Sequence, residues 1–304
     1  MARRRNAAVS RRRIRSKLRT LRSATQETQR DVADALDWST AKLMRIEGGR
    51  VGISTTDLKA LLAHYGVTDE TELAQLAELA RISRTSTLAA TYGPALSKEF
   101  AEFIENEEAA RIIRQFEPKL IPGPLQTEDY ARAILTAYAE EYVSRQIIEQ
   151  RVFARLARRD QILQTDGPEA FFIIDEAALW RWIGAESGHG TLHSSVMIRQ
   201  LEDMLDVIKH PNVKVQFMPF RAGAYRAMGG PFVVLEFDEP SDDNLLYLEN
   251  PEVSLLYYEN AERTEPYLRY FQDMETKATP VDKAADAINA VLRTYREGGF
   301  GIPA

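Results

Sequence analysis

The chain has 304 residues, 44% of them hydrophobic, no cysteine and a net charge of -6. That length allows two domains and a substantial core. The lack of cysteine excludes a disulfide framework and thiolate chemistry, and no apolar run is long enough to cross a bilayer. The charge is polarised: residues 1–50 hold 14 Lys/Arg against 5 Asp/Glu, a balance of +9, which leaves -15 for the remainder. A basic head on an acidic body is the distribution expected of a DNA-binding domain fused to something else. Arg3-Arg4-Arg5 precedes no apolar stretch, so it does not read as an export signal, and a cytoplasmic location is expected.

Residues 1–10, MARRRNAAVS, read as a basic arm. It is expected to be disordered away from DNA and to meet phosphates or a minor groove on it; a solvated tail is the plainer alternative. A first helix follows over about 11–24, with Ile14, Leu18 and Leu21 as its inner stripe. Thr28 to Arg50, TQRDVADALDWSTAKLMRIEGGR, is the most informative stretch. It predicts two short helices and a tight turn. Thr28 caps the first, with Asp31 three residues on, and Val32, Ala33 and Leu36 face inward. Ser39 caps the second, which turns Leu43 and Ile46 inward and Thr40, Ala41, Lys42, Met44 and Arg45 outward. Gly48-Gly49 stops it. A short helix offering small, polar and basic side chains suits a major groove. Ser54 and Asp69 or Thr68 open two further helices, with Leu58, Leu61 and Leu62, then Leu73, Leu76 and Leu79, facing inward.

Gln29, Ala33, the run S-T-A-K-L-M-R-I-E and the following Gly-Gly-Arg resemble the lambda-repressor/Cro-type helix-turn-helix of XRE regulators, over about residues 13–65. The resemblance implies an all-α head of five helices. It implies that Arg22 pairs with Glu47 at the end of the recognition helix, a structural ion pair. It places Thr28 and Gln29 near a phosphate and Thr40, Ala41 and Arg45 at base edges. Ser39, Lys42 and Arg50 are then expected to hold phosphates. One position departs: Asp37 stands in the turn where family members usually carry glycine. Aspartate tolerates left-handed backbone better than most residues.

Residues 82–97 are rich in Ser, Thr and Ala without a clear period and read as a linker after the head of residues 11–81. The body, 98–296, is expected to open with a helix from about Ser97 to Phe116. An irregular Pro-rich stretch follows, then a helix capped by Thr127 with Glu128 and Asp129 in its first turn, a long helix over about 142–164 and a short strand at Phe171–Ile174. Trp182–His189 reads as a glycine-rich loop, and 196–208 as an amphipathic helix. Alternating strands are expected at Val213–Phe217, Phe232–Phe237, Leu245–Leu248 and Leu255–Tyr258. Two helices close the chain before a tail of residues 297–304. This is an α+β body with one mostly antiparallel sheet. F-E-P-x-L-I-P-G-P-L-Q-T-E-D-Y-A-R, D-E-A-A-L, Q-F-M-P-F-x-A-G-A and G-G-P-F-V-V-L-E-F resemble the C-terminal domain of a large actinomycete family of antitoxin-like transcriptional regulators. The resemblance implies a regulatory role, and many members have a small companion protein.

The body offers little that reads as catalysis. Asp175-Glu176 are adjacent carboxylates, and a helix start accounts for them. His189 and His193 have the spacing of a zinc pair, but a solvated loop is the better reading. No phosphate-binding glycine loop follows a strand. Trp180 and Trp182 suit a core or an interface. The loop Pro219–Pro231 holds Arg221, Tyr225, Arg226 and Met228 among glycines and could line an effector pocket or partner groove; a bare connection is the alternative. The expected function is a sequence-specific DNA-binding regulator without enzymatic activity, cofactor or metal, acting as a homodimer on double-stranded DNA. The alternatives are an antitoxin-like protein that neutralises a small partner and autoregulates, and a small-molecule-gated repressor.

Overall fold

The computed structural model describes residues 7–48, 52–184, 186–188, 191–193, 195–238, 244–248, 256–258 and 261–297, the three shortest segments by backbone alone. Residues 1–6 of the expected arm, Arg50 and His189 lie outside the described residues, as does the side chain of His193.

The head begins with α1 (Ala7–Thr25), followed by α2 (Gln29–Ala35), α3 (Thr40–Glu47), α4 (Thr55–His64) and α5 (Glu70–Ile82). Five helices were expected and five are found. Ile14, Leu18, Val32, Ala33, Leu43, Ile46, Leu58, Leu61, Leu62 and Leu76 form their shared core, joined by Ile53 and Ala80. Residues 7–10 of the expected arm belong to α1. Ala7, Ala8, Val9 and Ser10 are helical and buried, because small side chains there let α1 lie against the body.

The stretch expected as a linker is structured too. Thr87 caps α6 (Leu88–Tyr92), its hydroxyl accepting from the Ala90 N–H at 3.1 Å. Leu88 and Ala89 pack onto the body core. Ser97 then caps α7 (Lys98–Ala109), and Ala110 leaves the helix in an extended conformation. The helix expected to reach Phe116 therefore stops early, and Ile112–Glu117 is strand β1. Ile113 and Phe116 of that strand belong to different cores, a two-sided burial that one helix face does not provide.

The body continues with α8 (Glu128–Ala137), α9 (Arg145–Ile162), β2 (Glu169–Asp175), β3 (Glu186–Gly188) and β4 (Thr191–His193). The last two pair as a small antiparallel hairpin where a loop was expected. Then come α10 (Ser195–Val207), β5 (Val213–Met218), β6 (Phe232–Glu236), β7 (Leu245–Leu248), β8 (Leu256–Tyr258), α11 (Ala261–Lys277) and α12 (Ala284–Arg296).

Six strands form one sheet in the order β5-β2-β1-β6-β7-β8. β1, β2 and β5 run parallel; β6, β7 and β8 continue antiparallel. The sheet is mixed, which corrects the expectation of a mostly antiparallel one. Two strand–helix–strand passages, through α8 and α9 and then through α10, supply the long crossovers that parallel pairing requires. On one face Ile113, Phe172, Val215 and Tyr247 pack with helices α7, α8, α10 and α12. On the other, Phe116, Ile173, Phe232 and Val234 pack against Phe271 and Met274 of α11.

The Pro-rich stretch after β1 is held by side-chain hydrogen bonds. The Ile121 N–H donates to Tyr130 Oη at 3.1 Å, and Gln126 Nε2 donates to the Ile121 carbonyl at 2.7 Å. Burial pushes the Tyr130 hydroxyl up to about 12. Beside it, Arg158 of α9 makes a bidentate pair with Glu107 of α7 at 2.6 and 2.8 Å. Both side chains are 5% exposed. Removing one partner leaves the other buried and unpaired, so Glu107→Ala is expected to lower stability by about 3–5 kcal/mol, read by urea denaturation. A cost under about 1 kcal/mol would show that water reaches Arg158 in the folded state.

Candidate nucleic-acid interface

The interface is built by fixing α3 against α1 and α2. Glu47, the last residue of α3, is 3% exposed. Arg22 Nε donates to its Oε1 at 2.8 Å and Gln29 Nε2 to its Oε2 at 2.6 Å. One buried carboxylate thus joins three helices. Arg22 also donates to the Glu27 carbonyl at 3.1 Å. The hydrogen bond to Glu47 raises the Arg22 pKa above its ordinary value. Beside the pair, burial pushes the Tyr65 hydroxyl up to about 12, with Glu47 adding to the effect.

The turn between α2 and α3 has the expected chemistry. Asp37 sits at φ 54°, the left-handed conformation in which glycine is at ease. Thr28 and Asp31 form a reciprocal capping box, the Thr28 N–H donating to Asp31 Oδ2 at 2.9 Å. Those hydrogen bonds hold the Asp31 carboxyl below its usual range. Ser39 Oγ accepts from the Lys42 N–H at 3.2 Å and caps α3.

The side chains then divide. Arg45, Ala41 and Met44 are exposed and Thr40 is partly so. No partner for Arg45 exists among the described residues. Two residues expected at phosphates face inward instead. Lys42 Nζ donates to Asp57 Oδ1 at 2.6 Å and lies 3.8 Å over the Trp38 ring. Gln29 is turned to Glu47. Both help seat the helices: Gln29 satisfies the buried Glu47 carboxylate, which would be costly to leave unpaired, while Lys42 ties α3 to the half-buried Asp57 of α4. Sequence reasoning missed Asp57 and Trp38; the only signal was Asp57 three residues after the Ser54 cap.

In the body, the loop between β5 and β6 is tied to the end of β2. Tyr225 donates its hydroxyl to Asp175, and the Phe220 N–H donates to Glu176 Oε2 at 3.0 Å. The Tyr225 ring meets Phe116 edge-on, centroids 5.7 Å apart. Burial, with Asp175 next, raises the Tyr225 pKa well above its usual value. Arg226 lies 5.5 Å over the Tyr270 ring, while Arg221 and Met228 are exposed. Asp175 and Glu176 thus act as loop anchors. Trp180 and Trp182 pack on the body core, Trp182 against Tyr295 at 4.7 Å.

Residues 13–76 match a family described as "Helix-turn-helix domain", and residues 100–290 match "Domain of unknown function (DUF5753)". The second match covers most of the chain, which belongs to the DUF5753 family. No curated protein and no solved structure gives a significant match. Among the described residues no helix is long and apolar enough to cross a membrane.

Two substitutions test the geometry. Glu47→Ala strands Arg22, whose side chain is 20% exposed, and is expected to cost about 3 kcal/mol of head stability in a denaturant titration; an unchanged midpoint excludes the anchoring role. Asp37→Ala is expected to cost about 1 kcal/mol, because alanine keeps the Cβ but loses the short polar side chain that eases left-handed backbone, and Asp37→Gly is expected to cost nothing, because glycine has no Cβ there.

Proposed function

We propose that this DUF5753-family chain is a sequence-specific, DNA-binding transcriptional regulator of the XRE type, acting in the cytoplasm as a homodimer. The observation that supports it is the outward face of α3. Arg45 stands there exposed and without an internal partner, on a helix seated by the buried Glu47 carboxylate paired with Arg22. Its guanidinium suits a bidentate contact to guanine, and the Ala41 or Thr40 methyl suits contact with a thymine methyl. Met44, 55% exposed, adds an apolar contact on the same face. Thr28 and Ser39, at the starts of α2 and α3, lie toward the phosphates with the free N–H groups they do not cap. Two copies would read half-sites about one helical turn apart. The body is a binding module rather than a catalyst. It pairs copies, and it takes a regulatory partner as the antitoxin-like resemblance implies.

The test is binding of the full-length protein to DNA upstream of its own gene and to scrambled DNA, at two salt concentrations. Arg45→Ala is expected to cost about 1–3 kcal/mol on the cognate site and little on scrambled DNA. Equal losses on both would reject base reading by Arg45. Cognate preference that vanishes at the higher salt would reduce the contact to phosphate attraction.

A further inference from the structure

β1, β2 and β5 are parallel, so their carboxyl ends lie along one edge of the sheet. Each is followed there by a cation: Lys119 after β1, Arg181 after β2, Arg221 and Arg226 after β5. All four are exposed, and none makes an ion pair among the described residues. Arg181 Nε donates to the Lys119 carbonyl at 3.2 Å, which brings those two together. Three carboxylates stand at this edge: Glu117, which ends β1, is buried, and Asp175 and Glu176 accept from the Tyr225 hydroxyl and the Phe220 N–H. Two apolar side chains rise among the cations, Phe220 at 46% and Met228 at 58% exposure. Around them Gly223, Gly229 and Gly230 have open space where a Cβ would stand. A basic, apolar-tipped edge therefore sits on a body whose overall charge is strongly negative.

The same chain carries the complementary chemistry. The turn between α8 and α9 exposes Tyr138 at 69% and Tyr142 at 82%, with Glu140 and Glu141 exposed between them. Neither glutamate makes an ion pair among the described residues.

We propose that these two surfaces meet between copies, the basic edge of one protomer seating the acidic, tyrosine-bearing turn of the other. Guanidinium groups pair with carboxylates in bidentate fashion and stack on aromatic faces. Phe220 and Met228 supply the apolar contact with the tyrosine rings. Reciprocal exchange about a two-fold axis closes the assembly as a dimer. The inference deepens the homodimer proposed above by giving it a surface. Assembly is measured without DNA, so its failure leaves the α3 reading standing.

The experiment is sedimentation of the full-length chain at low and high salt. The wild type is expected to dimerise at low salt and to dissociate as salt screens the contact. Arg221→Glu with Arg226→Glu, and separately Glu140→Arg with Glu141→Arg, are each expected to weaken dimerisation by about tenfold or more, since like charges then face each other. An equimolar mixture of the two variants should dimerise again, because each presents the surface that the other lost. Circular dichroism checks that both fold; should either fail, the corresponding Gln pair replaces it, with a smaller weakening expected. A monomer at low salt overturns the proposal. So does a dimer indifferent to both variants, or a mixture that stays monomeric. Citrate or a small polyanion that saturates the basic edge while the chain remains monomeric would give that edge to an anion instead.

Discussion

The head depends on one buried carboxylate. Glu47 ends the helix that is offered to DNA, and it accepts from Arg22 of α1 and Gln29 of α2. Small helical heads have little core per residue, so apolar packing alone leaves α3 some freedom to rock. A charge that must stay paired removes it. Any rotation of α3 that lengthens these bonds exposes a desolvated carboxylate to an unfavourable surrounding. The same bonds explain why Gln29 faces inward. An amide near a phosphate gains a water-exposed hydrogen bond, while an amide on Glu47 completes a buried one.

The constraint extends beyond the head because α1 does. From Ile14 on it carries Ile14 and Leu18 into the head core, and its first turns lie against the body. Arg11 pairs with Glu105 at 2.7 Å and donates to the Ser83 carbonyl at 2.8 Å. Arg12 bonds Asn106 and lies 3.3 Å over the Phe237 ring. Arg13 reaches Asp238 at 3.3 Å. A continuous helix is stiff over this length, so the body and the Arg22–Glu47 pair bear on the two ends of one rod.

How much of this was legible depends on whether a signal was local. The head was read nearly residue by residue. Caps at Thr28, Ser39, Ser54 and Asp69 are short-range hydrogen bonds written in the sequence, and the left-handed Asp37 followed from its place in the turn. β5, β6, β7 and β8 were found within a residue or two at each end, because alternation is local as well. β1 was lost because Ile112-Ile113 directly follows a helix, and only pairing with β2 and β6 makes it a strand. With β1 missing, the parallel half of the sheet could not be recognised. Lys42 illustrates the same limit inside the interface. Its place on the outward face was readable, but its bond to Asp57, fifteen residues away, was not.

The fate of the basic residues changes what their number implies. The sequence shows a head with a balance of +9, which suggests a broad phosphate-gripping surface. The structure commits much of that charge internally. Arg11, Arg12 and Arg13 are turned to the body, Lys17 to Glu72, Arg22 to Glu47 and Lys42 to Asp57. A cation already paired within the protein must give up that partner before it neutralises a phosphate, so these six offer less to nonspecific affinity than free ones would. Among the described residues that leaves Arg45 on α3, Arg19 on α1 and Lys59 on α4 exposed without a partner, and Arg30 on α2 with only an exposed contact to Asp34 at 3.8 Å. Among the described residues, fewer cations are therefore left for phosphate than the count of +9 suggests, because much of the head's charge goes into seating its own helices.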